Sequence, residues 1–162
     1  MDIETLTALF RKLGARNPEG WAGSQIREGI PQLTRFLILR KLWSYVVDET
    51  DTAWIDRWIA SSEAGSQEPF AGVGHALRSL RARGATNEEL TDLVRGMQAE
   101  MLSSFCYVLD DPYLEEPEVA HISWALVQTD EDGTVLATIQ ALHESVLDTD
   151  PTGREMRPRS AG

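Results

Sequence analysis

Three His, one Cys and 26 acidic side chains are the groups in this chain suited to catalysis or metal binding. The His residues are His75, His121 and His143. No pair has the short helical spacing of a zinc motif. HExxH is absent, although His143-Glu144 begins in that way. The three are read as independent imidazoles. If the fold does gather a site, its members are His121, His143, Glu144 and Asp148, with Arg154 as a nearby cation. A small enzyme or a metal-binding protein would follow from that site. No metal and no cofactor is assigned on these residues.

Cys106 sits in SSFCYVL, on an expected helix, where a cysteine behaves as a small hydrophobe. Nucleophilic use would need one of the three His within reach. As the single cysteine it cannot form an internal disulfide, which agrees with a reducing compartment. Gln128 to Ile139 places Asp130, Asp132 and Gly133 at the third, fifth and sixth positions of a calcium loop. Gln128 and Ile139 occupy its two ends, where the motif needs Asp and a bidentate Glu. A solvated hairpin turn is the better reading. There is no GxSxG, no glycine-rich phosphate loop and no dinucleotide fingerprint. The motifs lean away from an enzyme.

The carboxylates are unevenly spread, and the net charge is −11. Met1–Arg95 holds 13 acids and 12 Lys or Arg, Gly96–Gly153 holds 12 acids and no Lys or Arg, and Arg154–Gly162 holds three Arg and one Glu. A long stretch without fixed positive charge sets up a strong negative field. Such a field repels nucleic acid. Its densest part is Asp110, Asp111, Glu115, Glu116 and Glu118, around Pro112, Tyr113 and Pro117. The plain reading is a solvated connection. The functional reading makes Tyr113 an anchor and the acids a steering field for a basic protein. Arg154 and Arg157 are expected to fold back onto Asp148 or Asp150.

These groups must be positioned mostly by helices. Leu33–Val47 is the most apolar run, and it is read as a central helix near 31–47 with Pro31 in its first turn. Arg35, Arg40 and Lys41 are placed together on its polar side. Asp2 caps an earlier helix that runs to Leu13, with Ile3, Leu6, Leu9, Phe10 and Leu13 inward and Gly14 after it. Asn17–Ser24 reads as a loop anchored by Trp21, with a short helical turn over Gln25–Gly29. Asp51 starts a helix with Trp54, Ile55, Trp58 and Ile59 on one face, and Ser61–Pro69 reads as a polar loop. Phe70–Arg83 is helical with Val73, Leu77 and Leu80 inward. Thr86-Asn87-Glu88-Glu89 is a capping box. The helix it opens runs to Leu109, with Leu90, Leu93, Met97, Met101, Phe105 and Val108 as its inner stripe. Pro112 stops it. Ile122–Gln128 and Thr134–Ile139 read as strands joined by a turn at Thr129–Gly133. Thr138–Leu147 also fits a helix, and a short one over Ala141–Leu147 would satisfy both patterns.

The expected fold is mainly α, a compact bundle of about five or six helices around the central one. A small β-hairpin lies near 121–139. One domain covers 1–153, and a flexible basic tail covers 154–162. No run approaches the roughly 20 apolar residues that a membrane helix needs. The start MDIETLTALFRK lacks the basic opening and cleavage site of a signal peptide. A cytoplasmic protein is expected. Its expected role is protein–protein binding, in concrete form an inhibitor or immunity-type protein for a basic partner. A homodimer through spare apolar surface on Trp54–Ile59 is a further expectation.

Overall fold

The computed structural model describes residues 1–159; the last three residues of the expected basic tail lie outside the described residues. Among the described residues there are six α-helices, one two-stranded antiparallel sheet and two 3₁₀ turns. The fold is therefore mainly α with a late hairpin. No helix among the described residues is long and apolar enough to cross a membrane. The chain forms two compact units, Met1–Ser44 with Met101–Gly162, and Tyr45–Glu100.

In the first unit, α1 (Ile3–Lys12) opens at Asp2, whose carboxylate accepts the Thr5 backbone N–H at 2.8 Å. The stretch Asn17–Ser24 is not a loop. It opens α2 (Pro18–Glu28). Asn17 accepts the Gly20 N–H at 3.0 Å, Pro18 fills a first-turn position that needs no donor, and Gly29 closes the helix at φ +71°. Trp21 is an anchor as expected, packed with Phe10 and Phe36 at centroid distances of 6.0 and 5.5 Å. These rings form one core with Leu6 and Ala22.

The central helix is shorter than expected. α3 covers Gln32–Trp43, and its buried residues are Gln32, Arg35, Phe36, Leu39 and Trp43. The Trp43 indole donates to the Val146 carbonyl at 3.0 Å, which ties the last turn down. Arg35 is buried, while Arg40 and Lys41 are exposed. The expected grouping fails on geometry, because five residues turn a helix by about 140°. Arg35 belongs to the stripe of Gln32, Phe36 and Leu39.

The hairpin pairs β1 (Leu126–Thr129) with β2 (Val135–Ile139), Leu126 opposite Ile139 and Gln128 opposite Ala137. Asp130 spends its carboxylate on the turn, accepting the Asp132 and Thr134 N–H groups at 3.0 and 2.8 Å. Thr34 of α3 donates to the Gln128 side chain at 2.7 Å and fixes the strand against the helix. Ala141 takes a left-handed φ of 57°, which breaks any helix running on from β2. Two 3₁₀ turns follow instead, His143–Ser145 and Leu147–Thr149. The next residues close into turns rather than an extended run. Buried Asp150 accepts the Thr152 N–H and hydroxyl at 3.0 and 2.8 Å, and the Met156 N–H at 3.2 Å.

The second unit packs α4 (Ala53–Ala64) on α5 (Ala71–Ala82) and on the first part of α6 (Asn87–Asp110). Its core is Trp54, Ile55, Leu77 and Leu90, with Val47, Ile59, Ala85 and Val94 around it. Of the face Trp54–Ile59, Trp54 and Ile55 are buried in this core and Trp58 is exposed. α4 reaches Ala64, so Ser61–Ala64 is helix and not loop; Ser62 is buried and donates to the Ala71 carbonyl at 2.7 Å. α5 buries Ala71, Gly74 and Leu77, leaving Val73 and Leu80 exposed. The small residues let two backbones approach: a Cβ on Gly74 would lie 2.2 Å from the Trp58 carbonyl oxygen.

The capping box is present, with Thr86 N–H to Glu89 at 2.8 Å and Glu89 N–H to Thr86 at 3.1 Å. The face of α6 is the main correction. Leu90, Thr91, Arg95, Ala99, Leu102 and Cys106 are buried. Leu93, Met97, Met101, Phe105 and Val108 are exposed. Only Leu90 of the expected stripe points inward. Polar groups account for the choice in the second unit. Val47 needs partners for its backbone, and it finds Gln98 for its N–H at 2.8 Å and Arg95 for its carbonyl at 2.7 Å.

Candidate functional site

Asp110 is the last residue of α6, where Pro112 forces the helix to end. Its side chain is only 7% exposed. Residues 141–145 are carried back against it by the hairpin. There one carboxylate oxygen of Asp110 accepts the His143 backbone N–H at 3.2 Å and lies 2.7 Å from His143 Nδ1. A carboxylate can only accept, so Nδ1 carries the hydrogen. The other Asp110 oxygen is buried without a hydrogen-bond partner. The His143 ring stands edge-on to Tyr107, with centroids 5.3 Å apart, and its side chain is 33% exposed.

Arg35 approaches the same segment from α3. Its guanidinium donates to the Ala141 carbonyl, to Ser145 Oγ at 3.0 Å and to Gln32 at 2.9 Å. Burial pulls the Arg35 pKa down, and the charges of Glu144 and Asp110 oppose that shift. Cys106 lies one helical turn before Asp110. Burial pushes its thiol up to about 11, and the Asp110 charge adds to the shift. Such a thiol is protonated and enclosed, the opposite of an activated nucleophile.

The structure therefore joins His143 to Asp110, a pair separated by 33 residues, one from the candidate His site and one from the acidic loop. His121 is exposed in the turn after Pro117. Asp148 gives its backbone carbonyl to Arg16 at 2.9 Å; Arg16 also binds the carbonyls of Gly153 at 2.9 Å and Leu147 at 3.3 Å. Arg16, from outside the acidic region, thus staples the C-terminal turns. Arg154 donates to the Arg157 carbonyl, and Arg157 pairs with Glu155 at 2.8 Å. Among the described residues no group of three or more His, Cys, Asp or Glu is arranged to hold a metal ion.

The acidic loop divides. Asp110 turns inward. Asp111, Tyr113, Glu115, Glu116 and Glu118 are exposed, Tyr113 at 75%. Asp111 accepts the Tyr113 N–H and the Tyr107 hydroxyl, both at 3.3 Å, which shapes the start of the loop. One sequence signal for the buried cluster existed: Arg35 falls three, one and four residues from Gln32, Phe36 and Leu39. The pairing of Asp110 with His143 had none, because it depends on how the hairpin returns.

The class these features define is a mainly α protein with a late hairpin, a buried Arg35 on the segment that carries a half-buried Asp110–His143 pair, and an exposed acidic loop. No protein-family model, curated protein or solved structure matches the chain.

Proposed function

We propose that this chain is a cytoplasmic protein–protein binding module that meets a basic partner through the acidic side of its C-terminal portion. An inhibitor or immunity-type role toward a basic enzyme is the concrete form. The reading is carried by one observation. Tyr113 stands out from a loop whose exposed charges are Asp111, Glu115, Glu116 and Glu118, inside a stretch from Gly96 to Gly153 without Lys or Arg. An exposed aromatic within a single-sign field supplies an anchor and steering together. The same field disfavours nucleic acid as a partner.

The test uses the protein as bait in a lysate of its source at low and high salt, followed by association kinetics with the captured protein. The partner is expected to be basic and to be released by salt. Changing Asp111→Asn, Glu115→Gln, Glu116→Gln and Glu118→Gln together should slow association about tenfold or more. An unchanged rate refutes the reading.

A second reading, a small enzyme, draws on the Asp110–His143 pair. A carboxylate that fixes one imidazole nitrogen leaves the other free to move a proton. Across a panel of ester and phosphoester substrates, activity lost in His143→Gln would favour it, and activity retained would remove it.

A further inference from the structure

The C-terminal half of α6 has two faces, and both are apolar. Leu102 and Cys106 are buried in the first unit. Met101, Phe105 and Val108 are 70%, 50% and 52% exposed. Their spacing of four and three places them in one row along the helix, the spacing by which a helix receives the side chains of another. Trp124 extends the row. Its indole N–H donates to the Val108 carbonyl at 2.8 Å, so its polar atom is satisfied and the ring adds apolar surface beside the last turn. Polar termini of Lys or Glu would ordinarily cover such a face; here an apolar row leads at its C-terminal end into the acidic loop that begins at Asp111.

We infer that this row is a docking face for an amphipathic helix whose apolar side is flanked by Lys or Arg. This rests on the protein-binding reading above and names the element of the partner that is recognised. Charge selects the occupant. Every charge from Gly96 to Gly153 is acidic. A second copy docked through this same face would bring the same acids against these acids, and an anionic membrane surface would repel them. A basic amphipathic helix meets both parts of the surface: its apolar residues cover Met101, Phe105 and Val108, and its cations face the loop. Met101 is suited to this, since an unbranched thioether adapts to differing side chains.

The probe is a synthetic 18-residue peptide, roughly the length of five helical turns, built from Leu at helical i, i+3, i+4 and i+7 positions with Lys elsewhere. A second peptide of equal charge carries Ser in place of Leu. Binding to the full chain is followed by fluorescence anisotropy. The Leu/Lys peptide should bind about tenfold or more tightly than the Ser/Lys peptide. Met101→Ser with Phe105→Ser should remove that preference. Val135→Ser with Leu136→Ser, at exposed hairpin positions outside the row, should keep it. Circular dichroism and urea midpoints confirm that each variant is folded. Equal binding of both peptides overturns the inference, as does full binding by the Met101/Phe105 variant. Light scattering gives the remaining outcome: a dimer that the Met101/Phe105 variant dissociates makes a second copy the occupant and also overturns it. If neutralising the acidic loop abolishes binding while the Met101/Phe105 variant binds fully, the docking face is refuted and the acidic-module reading stands.

Discussion

The close approach of α4 and α5 gives the most exacting prediction. Gly74 sits in the first turn of α5 with no side chain, and a Cβ built there would lie 2.1 Å from Ser62 Oγ and 2.2 Å from the Trp58 carbonyl oxygen. A serine hydroxyl can rotate away. A helical carbonyl cannot, because it is held in the α4 hydrogen-bond ladder. Cβ atoms essentially never come closer than 3.0 Å to such an atom, so the helices must part by at least about 0.8 Å. That separation loosens Trp54, Ile55 and Leu77, which pack between them. Overpacking of this kind costs about 1–3 kcal/mol. Alanine gains back up to about 1 kcal/mol in helix propensity. Gly74→Ala should therefore lose a net ~1–2 kcal/mol. Gly72→Ala is the matched control: it lies in the same helix, nothing stands within 4 Å of its Cβ, and it should gain a few tenths to about 1 kcal/mol. Urea unfolding separates the two, with midpoints about 1 M apart for an ordinary slope. If Gly74→Ala is as stable as Gly72→Ala, the backbones are not in contact there and the reasoning about α5 fails.

Three further outcomes are expected. Arg35→Met should destabilise by about 3 kcal/mol, since the Ala141 carbonyl and Ser145 hydroxyl lose a charged donor in a buried place; a urea midpoint equal to wild type would refute this. Cys106, with its thiol pushed up to about 11, should resist iodoacetamide near pH 8 in the native state and react at the ordinary rate in denaturant; fast native labelling would refute its burial. The Thr86 N–H and hydroxyl hold the Glu89 carboxyl below its ordinary value of 4.5. A depressed folded pKa gives stability that is present above the unfolded value and lost as pH falls through the folded one. The stability difference between wild type and Glu89→Gln should thus shrink as the pH drops below 4.5, and a difference that stays constant with pH would refute the capping role.

Local chemistry was legible where it is decided within four residues. Asp2, the Thr86–Glu89 box, Gly14 and the turn at Asp130 each act on backbone groups three or four positions away, and each is found as read. Asn17-Pro18 carries the same kind of signal, an N-cap followed by a proline in the first turn, but Gly20 and Gly23 hid it. Glycine costs a helix about 1 kcal/mol relative to alanine, a cost that Trp21 offsets by packing on Phe10 and Phe36. α5 misled for the related reason that its buried residues are small. A search for large apolar side chains finds Val73 and Leu80, whereas a close helix pair is marked by Ala71 and Gly74.

Long-range pairings were not legible. Asp110 reaches His143 only because α6, a hairpin and a left-handed residue at Ala141 bring distant segments together. α6 raises a different difficulty. It offers two apolar rows, and periodicity alone cannot say which one packs. Unmet backbone groups at Val47 and the small side chain of Ala99 decide it, and the larger residues are left outside. A helix selected only for its core contacts has no reason to keep that outer row. Charge or short polar side chains would serve solubility better, and they cost nothing in the core. From Gly96 to Leu109 the sole charged residue is Glu100, while the charge of the region is concentrated in the loop that follows. If the acids served solubility alone, they would be expected among the exposed apolar side chains rather than beyond them. Their placement at one end of the row fits the proposed surface, on which an apolar contact and a charged contact are made side by side.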